Sequence, residues 1–149
     1  VDHKPQPRYP FPFIHDDAMS VLTNFMLGGI GTVRDTQGRH WFMEDFQVIH
    51  ASPPCQKFSQ ATFSRPEGNT RQKDLVTPTL SLLRDLGKVW VCENVLRAPL
   101  SRYSCLLCGL AFGLKVFRHR LFESSHLLLS PQHVSHAGKK IGRDGMVCV

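Results

Sequence analysis

Residues 48–55 read Val-Ile-His-Ala-Ser-Pro-Pro-Cys, and this corner limits the fold more tightly than any other stretch of the chain. A short apolar run, Val48-Ile49, is followed by Pro53 and Pro54. Each proline fixes its own φ and pushes the residue before it toward extended backbone, so a strand over residues 48–51 must end here. Cys55 then stands at the carboxyl end of that strand, the edge at which open α/β sheets bind ligands. A cysteine that only fills core space behaves as a small hydrophobe and needs no such rigid setting.

A second strand is expected at Val89 to Cys92, in the stretch KVWVCENV, and it ends in Glu93-Asn94. Between the two lies a helix running to about Leu86, with Thr77 as its cap, Pro78 in its first position and Leu80, Leu83 and Leu86 facing inward. Gly87 stops it. Strand, helix and strand make a βαβ unit, whose crossover is right-handed and whose strands are parallel and adjacent. That arrangement brings Cys55 and Glu93 to one edge of the sheet.

The amino-terminal region prepares this unit. Pro5, Pro7, Pro10 and Pro12 make residues 4–12 an extended linker, and Phe-Pro-Phe-Ile-His at 11–15 reads as a short strand. Asp16 or Asp17 caps a helix with Val21, Leu22, Phe25 and Met26 on its apolar face, stopped by Gly28-Gly29. Residues 30–46 suit a loop or a small hairpin. The Gly-Gly-Ile-Gly run at 28–31 follows a helix, whereas a phosphate-cradling loop follows a strand and opens a helix. Residues 59–73 are polar and basic, with Arg65, Arg71 and Lys73, and read as a lid or binding loop directly after the cysteine.

Composition sets the outer limits. The chain has 149 residues, 42% of them hydrophobic, which suits one domain with a core of its own. Its apolar runs are too short for a membrane span, and the opening carries no signal pattern, so a soluble, cytoplasmic protein without a membrane partner is expected. Five cysteines without a secretory signal read as free thiols. The net charge is +6, and residues 102–149 hold seven basic residues against Glu123 and Asp144, a balance of +5. A field of that sign attracts a polyanion such as nucleic acid, although a solvated basic face has the same composition.

A thiol, a carboxyl and the arginine pair Arg118 and Arg120 form a usable set. A thiolate adds to an electron-poor carbon, an acid protonates or hydrogen-bonds the resulting ring, and an arginine holds a phosphate or a carbonyl oxygen. Four stretches carry these residues in order: SPPCQKFS, ENV, LCGLAFGL and RHRLFES. Together they resemble the central motifs of the DNA (cytosine-5) methyltransferases, in particular the compact phage and bacterial forms. The resemblance runs from Asp2 to about Ser124 and implies a Rossmann-like α/β core, here partial, with a mostly parallel sheet and flanking helices. It also implies S-adenosylmethionine as cofactor and double-stranded DNA as partner.

By the same resemblance, Cys55 is similar to the nucleophile that adds to carbon 6 of cytosine, and Glu93 to the acid that contacts ring nitrogen 3 and the exocyclic amine. Arg120 is similar to the arginine holding the base oxygen, and Arg118 to its neighbour near the backbone phosphate. Asp2, Asp17 and Pro54 fall at cofactor-binding positions, with Asp16 as the alternative to Asp17. Gln56, Ser59, Asn94, Arg65, Arg71 and Lys73 fall on the substrate side. The target base leaves the duplex to be reached, as in other enzymes that act on bases.

The sequence also departs from the family pattern. The aromatic-Gly-x-Gly cofactor loop would precede Asp2, Val116 stands where a glutamine is usual, and residues 125–149 are too short for a full target-recognition region. These departures predict a partial core, a fragment of a longer enzyme, with self-association or a complementing chain as one way to complete it. A rival reading uses Cys105 and Cys108, which have zinc-ligand spacing, with His126, His133, His136 and Cys148 as further ligands. Leu106 and Leu107 between the two cysteines favour a core strand instead, so no metal is expected. His119, by strand alternation, points away from Arg118 and Arg120 and is expected to be a packed residue. Three other readings compete: a catalytically inactive fragment that binds nucleic acid weakly, an RNA cytosine-5 methyltransferase, and a thiol-addition enzyme acting on a free pyrimidine nucleotide.

Overall fold

The computed structural model describes residues 1–27, 32–59, 72–138, 142 and 147–148. In chain order these form α1 (Ala18–Met26), β1 (Val33–Arg34), β2 (His40–Trp41), a 3-10 turn at Met43–Asp45, β3 (Val48–Ala51), α2 (Val76–Asp85) and β4 (Val89–Asn94). Then follow β5 (Cys105–Cys108), a 3-10 turn at Gly109–Phe112, β6 (Val116–Phe117), β7 (His119–Ser124) and β8 (Val147–Cys148). The chain divides into two compact units, Val1–Ile49 with Thr79–Val89, and His50–Pro78 with Trp90–Val149. Among the described residues, no helix is long and apolar enough to cross a membrane.

In the first unit, the Asp17 carboxylate caps α1 by accepting the backbone N–H groups of Met19 and Ser20, each at 3.0 Å. These donors have no partner within the helix, so the cap satisfies what the first turn leaves open. Val21 and Leu22 are buried, and Ile14, Val21 and Val33 form a small core against which Phe25 and Trp41 pack. Met26 is exposed, so the inward face is narrower than its spacing suggests. Residues 11–15 do not make a strand; they contribute buried Phe13 and Ile14 and a single parallel bridge between His15 and Asp2. The prolines explain this, since they withhold the donors a ladder requires. The Gly-Gly-Ile-Gly run lies outside the described residues.

Of the loop or small hairpin expected over residues 30–46, the structure has the hairpin: β1 and β2 pair antiparallel, with Val33 opposite Trp41. Its turn is organised by Asp35, a buried carboxylate that accepts from the backbone of Gln37 and Arg39 and from Trp41 Nε1, all at 2.9 Å. Gly38 takes φ 88°, the left-handed conformation that closes the turn.

Helix α2 begins at Val76, two residues earlier than expected, and Thr77 is not its cap. Asp74 fills that role, accepting from the backbone of Val76 at 2.9 Å and Thr77 at 3.1 Å, and from the Thr77 hydroxyl at 2.8 Å. Pro78 is tolerated in the first turn because its missing N–H has no helical partner there. Leu80 and Leu83 are buried, Leu86 lies half-buried just past the helix end, and Gly87 turns the chain with φ 65°.

The main sheet has the order β3-β4-β7-β5. Strands β3 and β4 are neighbours, as the βαβ pattern predicts. The expectation of a mostly parallel sheet is corrected: β7 runs antiparallel to both β4 and β5, so the sheet is mixed. The crossover rule speaks only to strands joined by a helix, whereas β5 reaches β7 through a short reversal at 109–118 that allows antiparallel pairing. Along β4, Trp90, Cys92 and Asn94 are buried, the alternation of a half-buried strand. A separate pair, β6 and β8, is parallel, with Val116 opposite Val147.

Candidate active site

The end of β4 organises the corner that carries Cys55. Asn94 is buried, and its side-chain amide donates to the carbonyl of Pro53 at 2.8 Å. Its own Oδ1 accepts from the Val95 backbone at 2.9 Å, so both ends of the amide are used locally. Ser52 donates to Glu93 Oε2 at 3.0 Å. The two residues before Pro54 are thereby tied to the two residues that end β4. Cys55 is half-buried, and its carbonyl accepts from the Phe58 backbone at 2.8 Å in a turn that directs the chain onward.

The second oxygen of Glu93 meets Arg120. In the β4–β7 register Glu93 is opposite Phe122, and Arg120 lies two residues from Phe122 on the same face. That diagonal puts Arg120 Nε 2.7 Å from Glu93 Oε1, with each side chain about one-fifth exposed (22% and 21%). Arg120 also donates through Nη1 to the carbonyl of His119 at 2.8 Å. Glu93 is therefore held from two sides by Ser52 and Arg120, in a charge-assisted contact of the strong kind. The interaction of Ser52 was not anticipated from its position, although it immediately precedes the proline pair.

The other expected site residues divide. Pro54 and Gln56 are exposed beside Cys55, Ser59 is half-buried and Lys73 is exposed, while Arg65 and Arg71 lie outside the described residues. Arg118 is exposed between β6 and β7, and its carbonyl accepts the Gly109 N–H at 3.2 Å. Asp2 and Asp17 belong to the first unit. Asp17 is occupied as the cap of α1. Asp2 accepts from the Lys4 backbone at 2.9 Å and lies 3.3 Å from His3; chiefly the Lys4 hydrogen bond holds its carboxyl below the usual range.

On the opposite face of β7 a second group comes together. Cys108 is opposite His119 in the β5–β7 register, so their side chains share a face, and that face is the one Arg120 does not occupy. His133 and His136 join them from the chain beyond β7. His119 Nε2 and His133 Nε2 are 2.9 Å apart, Cys108 Sγ and His136 Nε2 are 3.3 Å apart, and one ligand atom from each of the four residues lies within 4.8 Å of the others. Burial, with the neighbouring His136 and His133, pushes the His119 imidazole below its usual range. Cys105 is not in the group: in a strand, residues three apart point to opposite faces, and its thiol donates to the Leu129 carbonyl at 3.6 Å. His119 does point away from Arg120, as alternation predicts, but it enters this cluster rather than simply packing.

A match with a known family covers most residues of the first group. The family model for C-5 cytosine-specific DNA methylases matches residues 20–102, more than half of the chain. The chain belongs to the C-5 cytosine-specific DNA methylase family. No curated protein and no solved structure gives a significant match. The matched span of the methylase model includes the proline corner, Cys55, α2 and Glu93-Asn94. The cysteine cluster's three histidines lie beyond it.

Proposed function

We propose that this methylase transfers a methyl group to carbon 5 of cytosine in double-stranded DNA, through a covalent adduct formed by Cys55. The observation that carries the reading is the linkage of Ser52-Pro53 to Glu93-Asn94, with Arg120 on the second Glu93 oxygen. S-Adenosylmethionine, when bound, supplies an electrophilic methyl group. The carboxylate of Asp2 suits that group's ribose, because an ionised carboxylate only accepts and ribose hydroxyls donate.

Carbon 5 of cytosine is a weak nucleophile until electron density enters the ring. Cys55, once its thiol proton has gone to solvent, supplies it by bonding to carbon 6, while Glu93 in its protonated form donates to ring nitrogen 3 and accepts from the exocyclic amine, so the charge that develops on the nitrogen meets a proton that returns to Glu93 when the adduct breaks down. Arg120 orients Glu93 and offers its remaining N–H groups to the base oxygen. After carbon 5 is methylated, its proton leaves to base, the ring electrons return and the Cys55–carbon 6 bond breaks. Arg118, Gln56, Ser59, Arg65, Arg71 and Lys73 serve the DNA side, the basic ones through phosphate contacts. Rigid placement of the thiol matters because reacting atoms must meet at about 3–3.5 Å.

Incubation with S-adenosylmethionine and a duplex containing 5-fluorocytosine tests the proposal, since fluorine at carbon 5 cannot leave as a proton and traps the adduct. A DNA-shifted, denaturation-resistant band that disappears in Cys55→Ser is the expected result. A shift on matched RNA alone would move the substrate to RNA. Absence of a trapped species on either, from a folded protein, would overturn the catalytic role of Cys55.

A further inference from the structure

The group on the far face of β7 has the composition of a closed metal site. We propose that Cys108, His119, His133 and His136 bind one zinc-type divalent cation, which fastens the chain beyond β7 to the sheet. This goes beyond the methyl-transfer reading and does not depend on it.

Convergence is the first argument. One ligand atom from each residue falls within 4.8 Å of the other three. A tetrahedral zinc ion with Zn–N near 2.0–2.1 Å and Zn–S near 2.3 Å sets its ligands about 3.3 Å apart for two nitrogens and about 3.6 Å apart for nitrogen and sulfur. The His119–His133 nitrogens at 2.9 Å and the Cys108 Sγ–His136 Nε2 pair at 3.3 Å are each about 0.3–0.4 Å closer than these values. Small side-chain rotations open these two pairs and draw in the others, all of which lie within 4.8 Å. One thiolate and three imidazoles is a borderline-soft set, suited to zinc or cobalt and unsuited to magnesium or calcium.

The source of the ligands is the second argument. Strand pairing fixes Cys108 opposite His119 before the later residues arrive. His133 and His136, in the sequence His-Val-Ser-His, come from a stretch with no regular secondary structure, in which Leu127 and Leu129 are 87% and 85% exposed. Such a stretch buries too little apolar surface to offset the entropy of ordering it. Two hydrogen bonds tie it to β5: the Ser130 hydroxyl donates to the Leu106 carbonyl at 2.9 Å, and the Cys105 thiol donates to the Leu129 carbonyl. A metal crosslink supplies the missing stabilisation, as it does in small domains generally. Four protein ligands leave no open position, so the ion is structural. Binding replaces the Cys108 S–H bond by a sulfur–metal bond and releases that proton to solvent.

The test uses the full chain, produced without a histidine tag. Elemental analysis should find one zinc per chain, and cobalt(II) added to the zinc-stripped protein should give the intense visible bands of a tetrahedral site together with a thiolate-to-cobalt charge-transfer band. Cys108→Ser should lose the charge-transfer band, and His133→Ala should weaken cobalt binding by at least about tenfold. His133 is exposed, so its removal leaves the fold in place. Cys105→Ser should keep the whole spectrum. Zinc should also slow amide exchange at residues 131–138 in the parent chain and not in Cys108→Ser. The proposal is overturned by substoichiometric metal, by cobalt bands without thiolate character, or by affinity unchanged in both Cys108→Ser and His133→Ala.

Discussion

Two carboxylates show how differently one residue type is used. Glu93 receives Ser52 on one oxygen and Arg120 on the other, an arrangement that fixes its plane at the end of β4. Replacing it with glutamine keeps the shape and removes the charge. Glu93→Gln should lower kcat by about a hundredfold or more while leaving the far-ultraviolet dichroism unchanged, the scale expected when a positioned acid is lost. A loss of only a few-fold would assign Glu93 to structure alone. Asp35 is the structural counterpart. Its hydrogen bond from Trp41 is the leading cause that holds its carboxyl below the ordinary 3.8, with the Arg39 and Gln37 backbone contributing, against the opposing cost of burial. A depressed folded-state value means that this contribution is present above pH 3.8 and disappears as pH falls through the folded-state value. Asp35→Asn should therefore unfold at lower denaturant than the parent near neutrality, and the gap should close in acid. An equal gap at both pH values would show that the ionised carboxylate contributes nothing.

At the scale of elements, what was legible in the sequence was local. Strands β3 and β4, helix α1 and the β1–β2 hairpin follow from apolar spacing and from proline and glycine punctuation, which act within a few residues. The Asp74 cap lay close to the expected Thr77, but both residue types cap helices and spacing alone does not separate them. The insertion of β7 between β4 and β5 was not legible, because pairing partners 27 to 33 residues apart leave no local signature. The same gap hid the Cys108–His119 group: strand alternation placed His119 away from Arg120, yet only the register shows which cysteine it meets. Gly109 was not singled out either, although a Cβ there would lie 2.4 Å from Val116 Cγ1 and 2.6 Å from the Val116 carbonyl oxygen. That close approach lets Gly109 donate to the Arg118 carbonyl and accept from Leu114. Gly109→Ala should cost about 1–3 kcal/mol in denaturant melts. Adding Val116→Ala should recover little, since the backbone oxygen stays where it is; full recovery would put the clash in the methyl group alone.

For the molecule as a whole, charge is the property that bears on its partner. The family acts on DNA, and residues 102–149 carry a balance of +5, so this half is where phosphate contacts are expected. Not every cation there is equivalent. Arg120 is committed to Glu93, whereas Arg102, Lys115 and Arg118 are exposed, with Arg102 lying over the Tyr103 ring at 4.6 Å and bonded to its hydroxyl. Neutralising a phosphate releases condensed counterions, so each real contact adds about −0.9 to the slope of log affinity against log salt. Binding to an unmethylated duplex should therefore weaken steeply as salt rises. Arg118→Ala and Lys115→Ala should each flatten the slope by about one and weaken binding similarly on unrelated sequences, because phosphate contacts carry no base information. Titrations at four salt concentrations decide between this and a merely solvated basic face. If the slopes of parent and variants coincide, the positive charge of the carboxyl half keeps the protein soluble and does not hold DNA.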